Sequence, residues 1–184
     1  MLVCASLMTQ AATIRWTSGT LYGTKTADGG WSDTKITSGD VTAYLFVLDN
    51  QTAYDNLYNK DVKTLSDNVY GAYKDKLSSA EATKSTGTTI SLTDNVTYST
   101  GDRQYAALLY ILTDGEKQYY IGNVGDTGAL KSSSNVSIAN MATNIGGTGG
   151  TSMTSVGWQP VPEPTSAMLL LLGMAGLMLK RKRA

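Results

Sequence analysis

The sequence predicts an α+β fold: an antiparallel β-sheet or small β-sandwich, an inserted amphipathic helical segment and a C-terminal hydrophobic helix. Three observations lead to this prediction. Short aliphatic runs alternate with segments rich in Thr, Ser, Gly, Asn and Asp, which suits a β-rich extracellular domain. One region, residues 54–77, instead places apolar residues three and four positions apart. Residues 165–179 form a separate uncharged stretch rich in leucine and methionine.

The 184 residues are enough for one domain with addressing segments. Residues 1–11 resemble the end of a secretory signal peptide, because an apolar run is followed by Thr9-Gln10-Ala11, a small-x-small cleavage site. We expect cleavage after Ala11. The usual basic start is missing, so the alternative is a buried first strand. Cys4, the only cysteine, is read as an apolar residue of this segment rather than a lipid anchor, and no disulfide can form within the chain.

The body is predicted to span residues 12–159 and to begin with a strand at 13–18. Asp28-Gly29-Gly30 indicates a turn. The run Val41–Leu48 is apolar on both strand parities, which favours a central strand covered on both faces. Asp49-Asn50 ends it.

A helical segment is predicted at about 51–80. Its apolar stripe has the period of an amphipathic helix. Thr52 and Asp55 resemble an N-terminal capping pair. A break is expected at Ser66-Asp67-Asn68, and Gly71 is a second weak point. The stripe consists of Tyr54, Leu57, Tyr58, Val62, Leu65, Val69, Tyr73 and Leu77.

Strands return after the helical segment. Residues 88–98 alternate, and 105–112 form a second run that is apolar on both parities. Asp114-Gly115 and the apolar residues of 118–121 then predict a β-hairpin. A short strand is expected at 135–138, a flexible loop at 146–151 and a closing strand at 153–158.

Composition excludes several chemistries. The chain has no histidine, so it can form neither a Ser-His-Asp nor a Cys-His site, and a conventional zinc site lacks its ligands. Most acidic residues are expected in turns or helix caps, although a pair of carboxylates would suffice for a glycosidase. Gly122–Gly128 lacks the spacing of a phosphate loop and is interpreted as a turn cluster. We expect no catalysis, no cofactor and no metal.

The charge distribution argues against nucleic-acid binding. Four basic residues are grouped at 180–183, so the rest of the chain has more acidic than basic residues. Nucleic-acid affinity depends on neutralising phosphates, which such a body does not favour.

The aromatic residues allow two interpretations. Trp16, Trp31 and Trp158 are candidate glycan contacts, because Trp and Tyr rings stack on sugars and occur at wet interfaces. The preferred alternative places Trp16 and Trp158 in the core. The same alternative treats four tyrosines as contacts between sheet and helix: Tyr70, Tyr73, Tyr119 and Tyr120.

Residues 160–184 form a distinct tail. Its prolines, 160, 162 and 164, are the only ones in the sequence and favour extended backbone over 160–165. An apolar helix is predicted over 166–179. At about 1.5 Å per residue, the uncharged stretch 165–179 covers roughly 22 Å, less than a hydrocarbon core of about 30 Å. A basic membrane stop follows, whose side chains can reach the headgroups. It consists of Lys180, Arg181, Lys182 and Arg183.

This order of features resembles the PEP-CTERM sorting signal of exported Gram-negative proteins, with the motif Val161-Pro162-Glu163-Pro164-Thr165. The resemblance implies recognition by exosortase, a membrane-embedded cysteine peptidase-like enzyme, and removal of the tail near the Pro-Glu-Pro strip. It implies an inner-membrane intermediate held by the C-terminal helix, then release to the cell surface or extracellular matrix. It also implies exopolysaccharide-producing bacteria, and so exopolysaccharide as a partner.

The sequence therefore predicts an exported surface or matrix protein with a structural or interaction role. Two alternatives remain open. A glycan-binding β-sandwich module would present exposed aromatic rings on one face. A carboxylate-dependent glycan hydrolase would bring two acidic groups together in a cleft, about 5–10 Å apart.

Overall fold

The computed structural model describes residues 9–17, 21–25, 31–36, 41–79, 83–87, 90–99, 101–129, 135–137, 145–146, 151–152 and 158–162. The elements in chain order are β1 (Thr9–Thr17), β2 (Tyr22–Lys25), β3 (Trp31–Lys35), β4 (Val41–Leu48), α1 (Gln51–Leu57), α2 (Val62–Tyr73), a 3₁₀ turn (Lys74–Lys76), β5 (Thr83–Thr86), β6 (Ser91–Ser99), β7 (Arg103–Asp114), β8 (Lys117–Ala129), β9 (Asn135–Ser137), β10 (Ile145–Gly146), β11 (Thr151–Ser152) and β12 (Gln159–Pro160).

The described elements form three layers around a central five-stranded sheet. Its strand order is β12-β8-β7-β4-β5, and every pairing in it is antiparallel. Helices α1 and α2 cover one face, and a three-stranded sheet, β6-β1-β9, packs against the other. The prediction of a mostly antiparallel β fold with a helical insertion is confirmed. Two short pairings outside the central sheet are parallel, β9 with β1 and β10 with β11.

The central strands are covered on both faces, as their apolar runs predicted. In β7, alternate residues such as Leu108 and Tyr110 face the three-stranded sheet, and Leu109 and Ile111 face the helices. Strand β4 divides in the same way and pairs with β7 along its whole length. Each of these two strands therefore contributes side chains to two cores at once. Burying one large aliphatic side chain stabilises a fold by roughly 1.5–3 kcal/mol.

The β7–β8 hairpin is confirmed. Asp114 lies opposite Lys117, leaving a two-residue connection of Gly115 and Glu116. Gly115 has φ +61°, a left-handed backbone conformation that glycine adopts without steric cost.

The helical segment exists, but its boundaries differ from those predicted. Asn50 caps α1 by accepting a hydrogen bond from Ala53 N at 3.0 Å, so the Thr52–Asp55 capping pair was wrong. The break between the helices falls at 58–61 instead of 66–68, because Asp61 caps α2 by accepting from Thr64 N at 2.8 Å. Gly71 does not interrupt α2.

Two polar side chains of the expected break serve the packing of α2. Ser66 is fully buried, and its Oγ donates to the carbonyl oxygen of Gly122 at 3.3 Å. Asn68 Nδ2 donates to the carbonyl oxygen of Leu57 at 3.2 Å, which satisfies a backbone acceptor at the end of α1. Both side chains bond to residues that are distant in the sequence. The local pattern of polar residues alone therefore indicated a break.

The glycine-rich stretch Gly122–Gly128 is part of β8, so its interpretation as a turn cluster was wrong. A glycine is found in this strand because helix α2 approaches the backbone of β8 closely at Gly122. A Cβ atom on Gly122 would lie 2.5 Å from Val69 Cβ. Glycine at this position lets α2 rest on the strand.

The ends of the body extend beyond the predicted strands. Strand β1 begins at Thr9, four residues earlier than predicted, and pairs antiparallel with β6 from there to Thr17. It therefore runs across the expected cleavage point after Ala11. Residues 1–8 with Cys4, most of the 146–151 loop and residues 153–157 lie outside the described residues.

Candidate functional site

The folded body passes into the tail at a short segment, Trp158–Val161, which we call the clip. Its strand β12 adds to the edge of the central sheet, with Gln159 opposite Tyr120 and Pro160 opposite Tyr119. One residue further, the amide of Val161 donates to the carbonyl oxygen of Gln118 at 2.9 Å. The chain is thus bound to β8 up to the first residue of the Val-Pro-Glu-Pro-Thr motif.

The clip is anchored by the indole of Trp158. Its side chain is 4% exposed in the core between the sheets, and its Nε1 donates to the carbonyl oxygen of Tyr22 at 3.0 Å. A buried indole with a satisfied N–H combines a large apolar contact with a directional bond. This anchor joins the end of the body to β2, 136 residues earlier in the chain.

The sequence of the clip fits an edge strand. Pro160 is exposed and lacks an N–H, so it is tolerated only where no further strand needs its donor. Val161 is half-buried and packs against the core beneath the helices, and Pro162 is exposed. The strip of alternate prolines was predicted to be extended, and its first residues are. The pairing of these residues with the sheet was not predicted; Trp158, two residues before Pro160, was the available signal.

The neighbouring strand is held to the helix layer by Tyr120. Its hydroxyl donates to Asp67 Oδ1 at 2.9 Å, and its ring stacks on Tyr70 with centroids 4.1 Å apart. Burial, and then the hydrogen bond to Asp67, raise the pKa of Tyr120. The expected contacts of Tyr70 and Tyr73 with the sheet are present, since Tyr73 stacks on Phe46. Tyr119 was misplaced by the prediction and lies in the core between the sheets.

Two of the three candidate glycan contacts, Trp16 and Trp158, are buried in the described structure. Trp16 is 6% exposed and meets Tyr110 edge-on at 5.4 Å, and Trp158 is 4% exposed. Rings so deeply buried offer no face for stacking on a sugar. The structure therefore places these two in the core, the alternative preferred above. The backbone of Trp31 is in β3, and its side chain lies outside the described part of the structure.

Several described carboxylates make structural contacts. Arg103 Nε and Nη2 donate to Asp126 Oδ2 at 3.1 and 2.6 Å. Burial opposes ionisation of Asp126, but the hydrogen bonds from Arg103 and Gly128 outweigh it and lower its pKa. Asp126 and Asp94 lie within strands and are exceptions to the expectation that most acidic residues lie in turns or helix caps. Among the described residues, no three or more acidic or cysteine side chains are grouped to hold a metal ion.

Glu163, Pro164, Thr165, the predicted helix 166–179 and the basic cluster 180–183 lie outside the described residues. Up to Pro162, the described chain contains no helix whose length and apolar character would allow it to cross a membrane.

Comparison with known proteins identifies the tail. Residues 160–183 match the family model of the PEP-CTERM protein-sorting motif, which confirms the resemblance seen in the sequence. The matched region starts at Pro160, inside the clip. The motif marks an exported protein that exosortase processes and that is sorted to the cell envelope or surface. Searches of curated proteins and of solved structures gave no match to the chain.

Proposed function

We propose that this exported, exosortase-sorted chain delivers a non-catalytic structural or interaction domain to the cell surface or extracellular matrix. The observation that carries the proposal is the match of residues 160–183 to the sorting motif, placed directly at the edge of a folded body. In this scheme the tail acts first as a temporary membrane anchor, with the apolar residues 166–179 in the bilayer. The basic residues 180–183 remain on the anionic cytoplasmic side.

Processing then separates the body from the anchor. Water adds across one peptide bond of the tail, leaving a carboxylate on the body and an amine on the released helix. Loss of the roughly 22 Å apolar segment removes the membrane affinity of the chain, so the body becomes free to move outward.

A structural role is favoured over catalysis by the residues available. The absence of histidine from the sequence removes the commonest general base. The carboxylates with the clearest contacts, Asp61, Asp67 and Asp126, are engaged in a helix cap, a tyrosine bond and an arginine pair. Exopolysaccharide stays a proposed partner of the delivered body, without an assigned contact surface.

The test is the C-terminus of the mature protein in its native host, measured by peptide mass spectrometry on membrane, surface and medium fractions. We expect surface and medium chains to end between residues 161 and 165. A double variant, Pro162→Ala with Pro164→Ala, should leave the tail attached and the chain in the membrane fraction. Pro160→Ala is the matched control, because that proline lies before the Val-Pro-Glu-Pro-Thr motif, and it should be processed normally. Surface chains that retain residues 166–183 would refute the proposal.

A further inference from the structure

The clip makes the last residues before the Pro-Glu-Pro strip part of the folded body. Trp158 is buried and hydrogen-bonded to Tyr22, Gln159 and Pro160 pair with β8, and Val161 N donates to Gln118. Pro162 is exposed. The boundary between bound and accessible backbone therefore falls between Val161 and Pro162.

We propose that the clip stays bound to the sheet during sorting and fixes the upstream limit of processing, so that the peptide bond broken lies after Pro162 or later. This inference rests on the proposed function, because it concerns the removal of the tail. Together with the end expected at 161–165, this limit places the mature C-terminus at 162–165, with β12 as the permanent last strand of the body.

The physical reason is access to the backbone. A peptidase takes its substrate as a separate extended segment, and susceptibility depends on the burial and hydrogen bonding of the backbone to be cut. To cleave within the clip, the enzyme would have to free the Val161 amide and the paired residues 159–160. It would also have to withdraw the Trp158 indole from the core between the sheets. Such opening is a rare local unfolding event, whereas the exposed residue Pro162 needs none.

The first experiment tests the clip without the sorting enzyme. The purified full chain, in a mild non-ionic detergent, is digested briefly with proteinase K, and the resistant body is weighed by intact mass spectrometry. We expect its C-terminus at Pro162 or beyond. In Trp158→Ala the boundary should move upstream of residue 158, because the anchor is lost. Leu92→Ala is the control: it truncates the same core away from the clip, so it should lower the melting temperature and leave the boundary unchanged.

Hydrogen exchange provides a reading that does not depend on any variant folding. In the wild-type chain the Val161 amide should exchange at least tenfold more slowly than an unstructured amide. Exchange at the unstructured rate, or a wild-type digestion boundary within 158–161, would overturn the inference.

The mature C-terminus from the native host separates this inference from the proposed function. An end at 162–165 supports both. An end at Val161 or earlier supports removal of the tail and overturns the upstream limit set by the clip. If surface chains keep the tail, the proposed function fails, and so does the claim that the clip directs processing.

Discussion

At the scale of single residues, two tyrosines in adjacent strands have opposite surroundings. The side chain of Tyr110 is buried between the sheets, and its hydroxyl has no hydrogen-bond partner among the described residues. Tyr120, beneath the helices, donates its hydroxyl to Asp67. A buried hydroxyl without a partner costs about 1–3 kcal/mol of desolvation, whereas a bond to a charged acceptor contributes about 1.5–3 kcal/mol.

The matched substitutions should therefore change stability in opposite directions. Tyr110→Phe keeps the ring packed against Trp16 and removes the unpaired hydroxyl, so we expect the free energy of unfolding to rise by about 1 kcal/mol. Tyr120→Phe leaves Asp67 without this donor and should lower it by about 1–2 kcal/mol. Urea unfolding followed by circular dichroism measures both. A loss of stability in Tyr110→Phe equal to that in Tyr120→Phe would contradict the different surroundings.

At the scale of elements, the packing of α2 on β8 depends on one glycine. A Cβ atom at Gly122 would lie 2.5 Å from Val69 Cβ and 3.1 Å from the carbonyl oxygen of Ser66. By contrast, a Cβ atom at Gly71, in the interior of α2, would meet nothing within 4 Å. The two glycines thus differ in purpose: the first permits contact between elements, and the second only weakens a helix.

A pair of alanine substitutions tests this difference. Gly122→Ala forces the backbone of α2 outward, and we expect a loss of about 1–3 kcal/mol in the free energy of unfolding. Gly71→Ala should add about 0.5–1 kcal/mol, because alanine loses less backbone entropy in a helix. Thermal and urea unfolding of both variants gives the comparison. If Gly122→Ala were neutral, α2 would not be seated on β8 at this distance.

The elements also mark how far the sequence could predict the fold. The runs at 41–48 and 105–112 were predictable because two-sided burial requires apolar residues on both parities, a local signal. The helix break at 66–68 was predicted wrongly because Ser66 bonds to a distant strand. Gly122–Gly128 was interpreted wrongly because Gly122 is required by its close contact with Val69, which is far away in the sequence. Likewise the motif of the tail could be recognised from its residues, whereas the pairing of the clip with β8 depends on tertiary contacts.

At the scale of the whole molecule, the burial of tyrosines makes the free energy of unfolding depend on pH in the alkaline range. Burial raises the pKa of six described tyrosines above the ordinary value of 10.0, and well above it for Tyr110. The six are Tyr44, Tyr54, Tyr70, Tyr73, Tyr110 and Tyr120. In the unfolded chain each ionises near pH 10, while the folded protein retains its proton, so the unfolded state binds fewer protons above that pH.

The sign of the effect follows from this linkage. A group whose folded pKa is raised contributes its full stability below its unfolded pKa, and that contribution is lost as the pH rises. We expect the free energy of unfolding to show little tyrosine-linked change from pH 7 to about 9.5 and to fall from about pH 10 upward. Urea titrations at each pH, together with phenolate absorbance, measure the fall and the number of tyrosines that ionise before unfolding. In Tyr110→Phe the decline should be shallower, because one strongly shifted group is gone. A decline of equal steepness in the wild type and Tyr110→Phe would show that burial of this hydroxyl does not couple the core to pH.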